Sequence, residues 1–434
     1  MSVLSGRPVF IRDIRSIDEA PGIRDYEAKL ISLFENVTNG SKFFISRTGT
    51  EVRFHPGSLV GGKFTFDCGT DRCISYFLEP LVMMAPFCKQ PLHVKLLGVT
   101  NKRDELSVDA IRATWLPVFN KFVLNDEDLS IKINARGFLP SGGGSVTFTA
   151  PIVRTLRPAQ RQNAGKIRRI RGLAYVSKAS PTIANRMIEA VKHMLRGYIA
   201  DVYITVDTRK GDAAGKSPGF GLFLTAETTE GVFYHGEAIS KSSTDATTAP
   251  SIPEDIASYA ASQLLNELFR GGCLDSSAQM LAATFMTLCE KDVSVFLSGP
   301  LTNNTIRGLR HLKMFFGMVF NFGREKTENE DEADLTVTMG YNNRVLMTGM
   351  GLIGMPSERS SAAASSHFDR ERLRHIQVNH AFAQLRTVIP SFPIDRKMSK
   401  HEILRGAIRY IHILEYILGM RSFSDLEGVS SSGN

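Results

Sequence analysis

The segment Arg136-Gly137-Phe138-Leu139-Pro140-Ser141-Gly142-Gly143-Gly144-Ser145-Val146 is the most informative stretch of the 434-residue chain. It joins two segments, 129–135 and 145–149, whose apolar residues alternate as in β-strands. Three consecutive glycines leave the backbone N–H groups of the turn unshielded, and such a turn can bind an anion such as phosphate. A simple hairpin turn is the alternative interpretation, and it needs no ligand.

The region around this loop alternates between strand and helix patterns. Residues 1–345 contain short strands separated by Gly-rich turns and by amphipathic helices, which predicts an α/β or α+β fold. Helices are predicted at 24–35, 73–84 and 107–119. The order strand–helix–strand–strand–strand–helix recurs along this region, so an internal structural repeat is expected.

The wider pattern R-G-x-x-P-x-G-G-G-x-V resembles the signature of the RNA 3'-terminal phosphate cyclase family. Further segments similar to that family are Leu4–Val9, Lys166–Gly172, Lys216–Gly221 and Arg270–Asp275. The resemblance spans residues 4–343 and points to the cyclase-like branch found in eukaryotic nucleoli. It implies a body over 1–343 built from repeated units, each a four-stranded sheet backed by two helices. A small α/β domain is expected to be inserted at 176–269, and the body is expected to be N-terminally truncated relative to the family.

The resemblance also bears on catalysis. Active cyclases use a histidine nucleophile that accepts AMP from ATP, and alignment on Gln279 puts Asp275 at that position. The chain is therefore expected to have no catalytic residue for cyclisation, no metal and no cofactor. In the cyclase-like branch the scaffold serves small-subunit (18S) ribosomal RNA processing in the nucleolus, inside the nucleus. The implied partners are precursor rRNA, a ribosome-assembly GTPase and the small-subunit processome. Endonuclease activity on precursor rRNA is an alternative, although no carboxylate cluster has metal-site spacing.

The basic run 166–171 is the best candidate for a surface that binds RNA or a protein partner. Strand alternation would place Lys166, Arg168 and Ile170 on one face and Ile167, Arg169 and Arg171 on the other. A solvated edge strand that resists aggregation is the alternative. The candidate RNA- or partner-binding residues lie in this run or in the glycine loop: Arg136, Gly142, Gly143, Gly144, Lys166, Arg168, Arg169 and Arg171.

The C-terminal region has the pattern of two amphipathic helices. The first ends at Pro390, since proline lacks the backbone donor and clashes with the preceding turn. The second begins at Ser399-Lys400-His401-Glu402, a capping box. The apolar positions that form the two helical stripes are Val378, Phe382, Leu385, Ile389, Ile403, Leu404, Ala407, Ile408, Ile411 and Leu414. So short a segment buries little core alone, and self-association or a partner is expected.

This region, 367–420, resembles a basic helix-loop-helix domain of the tissue-specific transcription-factor type. The resemblance implies a dimer formed through the apolar stripes, with an E-protein-type partner, and a basic extension in the major groove of E-box DNA. The residues expected to contact DNA are Arg370, Glu371, Arg372 and Arg374. Ala363, Ala364 and Phe368 replace polar residues of the family pattern, so weaker DNA binding is expected. A helical hairpin packed on the body is the alternative, and a transcription regulator is the alternative function.

Composition limits the remaining possibilities. The net charge is +8, and residues 367–421 contain ten Arg plus Lys and five Asp plus Glu, so the body is nearly neutral and any nucleic-acid surface there must be local. Five cysteines without a C-x-x-C pair suit reduced thiols in the nucleus or cytosol. No apolar run is long enough to cross a membrane. Residues 344–366 are predicted to form a linker. The two families that it joins are either a true fusion or the product of a gene-model artefact. Residues 421–434 are predicted to form a disordered tail.

Overall fold

The computed structural model describes residues 1–123, 128–153, 155–242, 250–324, 345–351 and 399–417. The chain divides into two compact units, Met1–Met355 and Pro356–Asn434. The first unit contains several four-stranded mixed sheets with helices, so the α/β class predicted from the sequence is confirmed.

The N-terminal part forms a small antiparallel sheet of order β1-β4-β3 and a two-stranded pair of β2 with β5. The helix α2 is amphipathic and buries Leu33 and Val37 against the body. The elements of this part are α1 (Ser2–Ser5), β1 (Val9–Ile11), α2 (Asp25–Val37), β2 (Thr38–Asn39), β3 (Lys42–Ile45), β4 (Val52–His55) and β5 (Ser58–Leu59).

The next segment forms a mixed sheet of order β6-β7-β9-β8. Its strands alternate between buried apolar and outward polar residues, because one face packs on helices and the other meets water. The elements are β6 (Gly62–Asp67), α3 (Ile74–Met84), β7 (Leu92–Gly98), α4 (Val108–Ala110), a π-helical turn (Ile111–Trp115), α5 (Leu116–Asn120), β8 (Ser130–Ala135) and β9 (Gly144–Ala150).

A second mixed sheet, β10-β15-β17-β16, has the same topology. In both sheets the first strand is parallel to the second, the second is antiparallel to the fourth, and the fourth is antiparallel to the third. The repeating order is thus strand–helix–strand–helix–strand–strand, which corrects the predicted order. The elements are β10 (Gln160–Arg161), α8 (Gln279–Leu288), β15 (Val293–Ser298), α9 (Asn303–Phe316), β16 (Asn321–Arg324) and β17 (Val345–Met350).

Between β10 and α8 in sequence lies a further sheet of order β12-β11-β13-β14, with α6 and α7 packed against each other and against this sheet. Its first strand begins at Ile167, ahead of the boundary predicted at 176, so the basic run belongs to this sheet. The elements are β11 (Ile167–Ser177), α6 (Thr182–Leu195), β12 (Val202–Arg209), β13 (Gly219–Thr228), β14 (Phe233–Ile239) and α7 (Pro253–Arg270).

An aromatic cluster joins the two similar sheets. Phe285 of α8 contacts Phe119 and Phe122 edge to face, with ring centroids 5.2 and 5.6 Å apart. Phe122 in turn stacks on Phe296 of β15 at 5.7 Å. All four rings are fully buried. Because aromatic pairs add to the stabilisation from buried area, this cluster fixes the packing of α5, α8 and β15.

In the second unit the structure describes one helix, α10 (Lys400–Ile417). The predicted capping box is confirmed, since the N–H of Ser399 donates to the Glu402 carboxylate and the N–H of Glu402 donates to the Ser399 hydroxyl. Across the described ranges of the chain, none of the helices has the length and apolar character to span a membrane. The five cysteines are buried and form no disulfide bond.

Candidate functional site

A cleft of about 670 Å³ lies where β14 and α7 meet the loop 101–107. Its lining contains basic side chains, several carboxylates and a histidine that is 13% exposed. The charged residues that line it are Lys102, Arg103, Asp104, Glu105, His235, Glu237, Lys241, Asp255 and Glu267. Asp275 lies directly behind this wall and contacts His235.

Asp275 is held by hydrogen bonds on both oxygens. It caps the 3₁₀ turn 276–278, where the N–H and the hydroxyl of Ser277 donate to Oδ1 at 2.9 and 2.6 Å. The backbone N–H and the ring Nδ1 of His235 both lie against Oδ2, at 2.9 and 2.8 Å. A carboxylate has about four acceptor positions, and here four donors occupy them. Asp275 is only 1% exposed, so it has neither a free oxygen nor access to a nucleotide.

His235 and its neighbours form a group of ionisable side chains that are buried or half-buried. Burial alone lowers the pKa of His235, but the charge of Asp275 and its hydrogen bond raise that pKa to about 9. Burial would raise the pKa of Asp275, and the His235 charge instead holds it below its ordinary value. Burial raises the pKa values of Glu237 and Glu267. The His235–Asp275 pair is therefore ionised near neutral pH, and the carboxyl groups of Glu237 and Glu267 beside it have raised pKa values.

This arrangement predicts a specific pH dependence of stability. A histidine whose folded pKa is about 9 contributes stability that is fully present below about pH 6.5 and is lost as the pH rises through 9. We expect the free energy of unfolding to fall by roughly 3 kcal/mol over that window. The measurement is urea unfolding of wild type and His235→Gln/Asp275→Asn at pH 6, 7.5 and 9.

The difference between the two proteins reports the His235–Asp275 pair together with its effect on Glu237 and Glu267, whose raised pKa values the His235 charge partly offsets. In the wild type Asp275 has a lowered pKa, so its contribution is present above pH 3.8 and does not change over this window, and the double variant has no ionisable group at either position. A constant difference between wild type and variant from pH 6 to 9 would contradict the ion pair.

Arg136 is not available to a ligand, which corrects its assignment as a binding residue. Its side chain is 1% exposed and its guanidinium donates to Asp109 at 2.8 Å and to Asp207 at 2.9 Å. It also donates to Asn101 and lies 4.4 Å from the centroid of the Tyr175 ring. These partners belong to α4, β12, β11 and the loop after β7. Arg136 therefore fastens the sheet of β11–β14 to the preceding part of the body.

The glycine loop packs closely against the protein's own segment 215–217. The N–H of Gly142 donates to the Phe138 carbonyl, and the N–H of Ser141 donates to the Ser217 hydroxyl. Gly142 and Gly143 have φ of 59° and 83°. A Cβ on Gly143 would lie 2.8 Å from both the N and the Cγ of Lys216. The glycines permit close approach of the segment 215–217, and these contacts favour the hairpin interpretation of Gly142, Gly143 and Gly144.

The basic run 166–171 carries less free charge than its sequence suggests. Arg169 pairs with Glu227 at 2.6 Å, and Arg171 pairs with Asp201 at 2.8 Å. The strand register shifts between Ile167 and Arg169, which breaks the predicted alternation. Ile170 is buried, while Lys166 and Arg168 are exposed. Only these two members of the run therefore present unpaired charge within the described part of the chain.

In the C-terminal unit, the proposed DNA contacts Arg370, Glu371, Arg372 and Arg374 lie outside the described residues, as do Val378, Phe382, Leu385 and Ile389. On α10, Ile403 and Ala407 are buried. Leu404, Ile408 and Ile411 are 45%, 50% and 52% exposed. Their spacing of four and three residues places them on one helical stripe. The side chain of Leu414 is not among those described.

The comparisons with known proteins agree with this fold. The family model of RNA 3'-terminal phosphate cyclase matches residues 1–322. The chain belongs to this family. A probable RNA 3'-terminal phosphate cyclase-like protein of Caenorhabditis elegans is 58% identical over 352 residues, which cover 81% of this chain and 92% of the relative. The Homo sapiens cyclase-like protein is 45% identical over the same coverage.

Two further matches bear on function. The rRNA processing protein rcl1 of Schizosaccharomyces pombe is 36% identical over 325 residues, covering 74% of this chain and 88% of that protein. The model of the helix-loop-helix DNA-binding domain matches residues 363–415. The chain therefore combines a cyclase-family body with a helix-loop-helix segment, as the sequence motifs predicted.

Sequence reasoning missed His235, although it lines the cleft and pairs with Asp275. It lies in a strand far from Asp275 in sequence, and no local motif marks it. The available signal was the alternation in 233–239, where His235 and Glu237 share the face opposite Tyr234 and Ala238. Two ionisable residues on one face of a buried strand indicate a partner of opposite charge.

Proposed function

We propose that this chain is a ribosome-biogenesis factor that acts in small-subunit rRNA processing as a scaffold without RNA cyclase activity. The observation that carries the proposal is the similarity, over most of the length of both chains, to the rRNA processing protein of fission yeast. Nucleolar localisation and association with precursor rRNA, the small-subunit processome and a ribosome-assembly GTPase follow from the proposal.

The state of Asp275 supports the absence of cyclase activity. Nucleophilic catalysis requires an activated and accessible atom, usually next to a general base. Asp275, which alignment places at the nucleophile position, is buried and its oxygens accept four hydrogen bonds. His235 lies beside it, but its Nδ1 contacts the carboxylate and its charge stabilises that carboxylate. The pair fits a structural role.

The helix-loop-helix segment supports a second activity in the same chain. The exposed stripe of Leu404, Ile408 and Ile411 on α10 is suited to a dimer interface. A second candidate function, transcription regulation through E-box DNA, is favoured by the family match at 363–415. Gel shifts on an E-box duplex at low salt, with and without an E-protein, separate the two. No shift in either lane removes the second candidate.

The proposed function predicts a defect in small-subunit rRNA. Depleting the chain in cells that express it should cause precursors of 18S rRNA to accumulate, while precursors of the large-subunit rRNAs stay unchanged. Northern blots with probes for each precursor measure this, and re-expression of the full-length chain should restore 18S maturation. Normal precursor levels after depletion would refute the proposal.

A second arm tests the absence of cyclase activity by itself. The purified full-length chain is incubated with α-labelled ATP and an RNA that ends in a 3'-phosphate. We expect no covalent adenylate and no cyclic phosphate, and an active bacterial or eukaryotic cyclase serves as the positive control. A stable adenylate on this chain would overturn the inert assignment while leaving the rRNA result intact.

A further inference from the structure

One face of the sheet β6-β7-β9-β8 collects basic and hydroxyl side chains that are far apart in sequence. The alternation of each strand turns its polar residues away from the core. Three of these residues are the lysines Lys63, Lys95 and Lys132, which are exposed, as is His93. We call the outward surface formed by these strands the lysine face.

The strand register sets the spacing of these side chains. Lys95 lies opposite Thr65 on β6 and opposite Thr147 on β9, and Thr147 in turn lies opposite Lys132 on β8. The neighbouring row across the sheet consists of Lys63, His93, Thr149 and Ser130. Because neighbouring strands are about 4.8 Å apart, Lys95 and Lys132 are about 10 Å apart. The face thus presents positively charged side chains that are separated by hydroxyl side chains.

The charges on the lysine face are not neutralised within the described part of the chain. None of the three lysines is within ion-pair distance of a carboxylate there, unlike Arg169 and Arg171. Asp67 is the acidic residue at the outward positions of these four fully described strands, and its carboxylate accepts from the N–H of Gly69. Unpaired lysines at an otherwise balanced surface create a local positive potential.

We propose that the lysine face binds the sugar–phosphate backbone of RNA without reading its sequence. Lysine ammonium groups neutralise phosphates, and hydroxyl side chains such as Thr147 and Thr149 donate to phosphate and sugar oxygens. The outward positions contain no Phe, Tyr or Trp on which bases could stack, so the contacts would be made to phosphate and sugar, which carry no sequence information. The choice of RNA among polyanions rests on the proposed function.

A protein partner fits this face less well. Protein interfaces have a central core rich in apolar and aromatic side chains, with lysine depleted. In the four described strands, Leu97 is the apolar residue at the outward positions, and it is half-buried. An acidic peptide could therefore pair with the lysines, but it would have few apolar side chains to pack against.

The test compares binding of fluorescein-labelled oligouridylate, about 20 nucleotides long, to the full-length wild type and to Lys63→Gln/Lys95→Gln/Lys132→Gln. We expect the triple variant to bind at least about tenfold more weakly at 0.1 M salt. The slope of log K against log salt concentration is negative, and its magnitude should be smaller by about 2 in the triple variant. Each phosphate contact to a single strand contributes about 0.7 to that magnitude. The C-terminal basic residues are the same in both proteins and cancel in the comparison.

The matched control is Lys42→Gln/Lys192→Gln/Arg196→Gln, which removes the same charge away from this sheet. We expect it to keep the wild-type slope, and Lys63→Arg/Lys95→Arg/Lys132→Arg to retain binding. Equal affinities and slopes for the two glutamine variants would overturn the proposal. Displacement of the RNA by polyglutamate at equal charge concentration would assign the face to acidic proteins and also overturn it. Either failure leaves the depletion result, and so the proposed function, unaffected.

Discussion

Arg136→Met is expected to lower the free energy of unfolding of the body by about 3–5 kcal/mol, the usual cost of breaking a buried ion pair by removing one partner. Asp109 is fully buried, and burial by itself would raise the pKa of its carboxyl. Arg136 instead holds that pKa below its ordinary value. Methionine fills similar space but cannot donate, so the Asp109 carboxylate would keep only the more exposed Arg112, at 3.2 Å, as a charged partner, or would take up a proton at neutral pH.

Chemical unfolding in urea at pH 7 measures the effect, and Arg171→Met is the matched control. Arg171 pairs with Asp201 at the surface, where water replaces the lost interaction, so a much smaller change is expected. A second variant, Arg136→Met/Asp109→Asn, removes the stranded charge and should recover part of the loss. Equal unfolding free energies for Arg136→Met and Arg171→Met would contradict the structural role of Arg136.

The secondary structure of the body could be predicted in large part from local pattern. The alternation in 93–97 gave β7, and the apolar spacing in 73–84 gave α3, with ends within a residue or two of those observed. These elements are predictable because their burial follows one period along the chain. The order of the repeat was wrong because strand pairing is not local. The unit begins at β6, whose partner β7 follows only after α3.

The site could be predicted less well, for a physical reason that particular residues make clear. Arg136 and the glycines of its loop stand in a conspicuous motif, yet their contacts are internal, with Asp109 and with the backbone of Lys216. The conspicuous basic run is partly neutralised by carboxylates on neighbouring strands. By contrast, Lys63, Lys95 and Lys132 are inconspicuous in sequence and meet only through sheet register. A motif shows which residues matter, and tertiary pairing decides whether they face a ligand or the core.

Ile408→Asp is expected to abolish dimerisation of the C-terminal unit, with the dissociation constant raised by at least about a hundredfold. Ile408 is half exposed on α10, in line with Leu404 and Ile411, so this stripe is available to a second helix-loop-helix chain. In the dimer an aspartate at this position would be buried without a partner, and that cost exceeds the gain from any one apolar contact.

Sedimentation equilibrium measures the effect on the full-length chain and on residues 356–434, each alone and with an E-protein-type partner. The matched control is Arg405→Asp, which places the same side chain on an exposed neighbouring position of α10 and should leave association intact. Circular dichroism of both variants checks that the helix is retained. If Ile408→Asp sediments like wild type, the exposed stripe does not form the interface. The stripe belongs to the C-terminal unit, so the salt dependence of oligouridylate binding should be the same for Ile408→Asp and wild type. The two surfaces can therefore be tested independently in one chain.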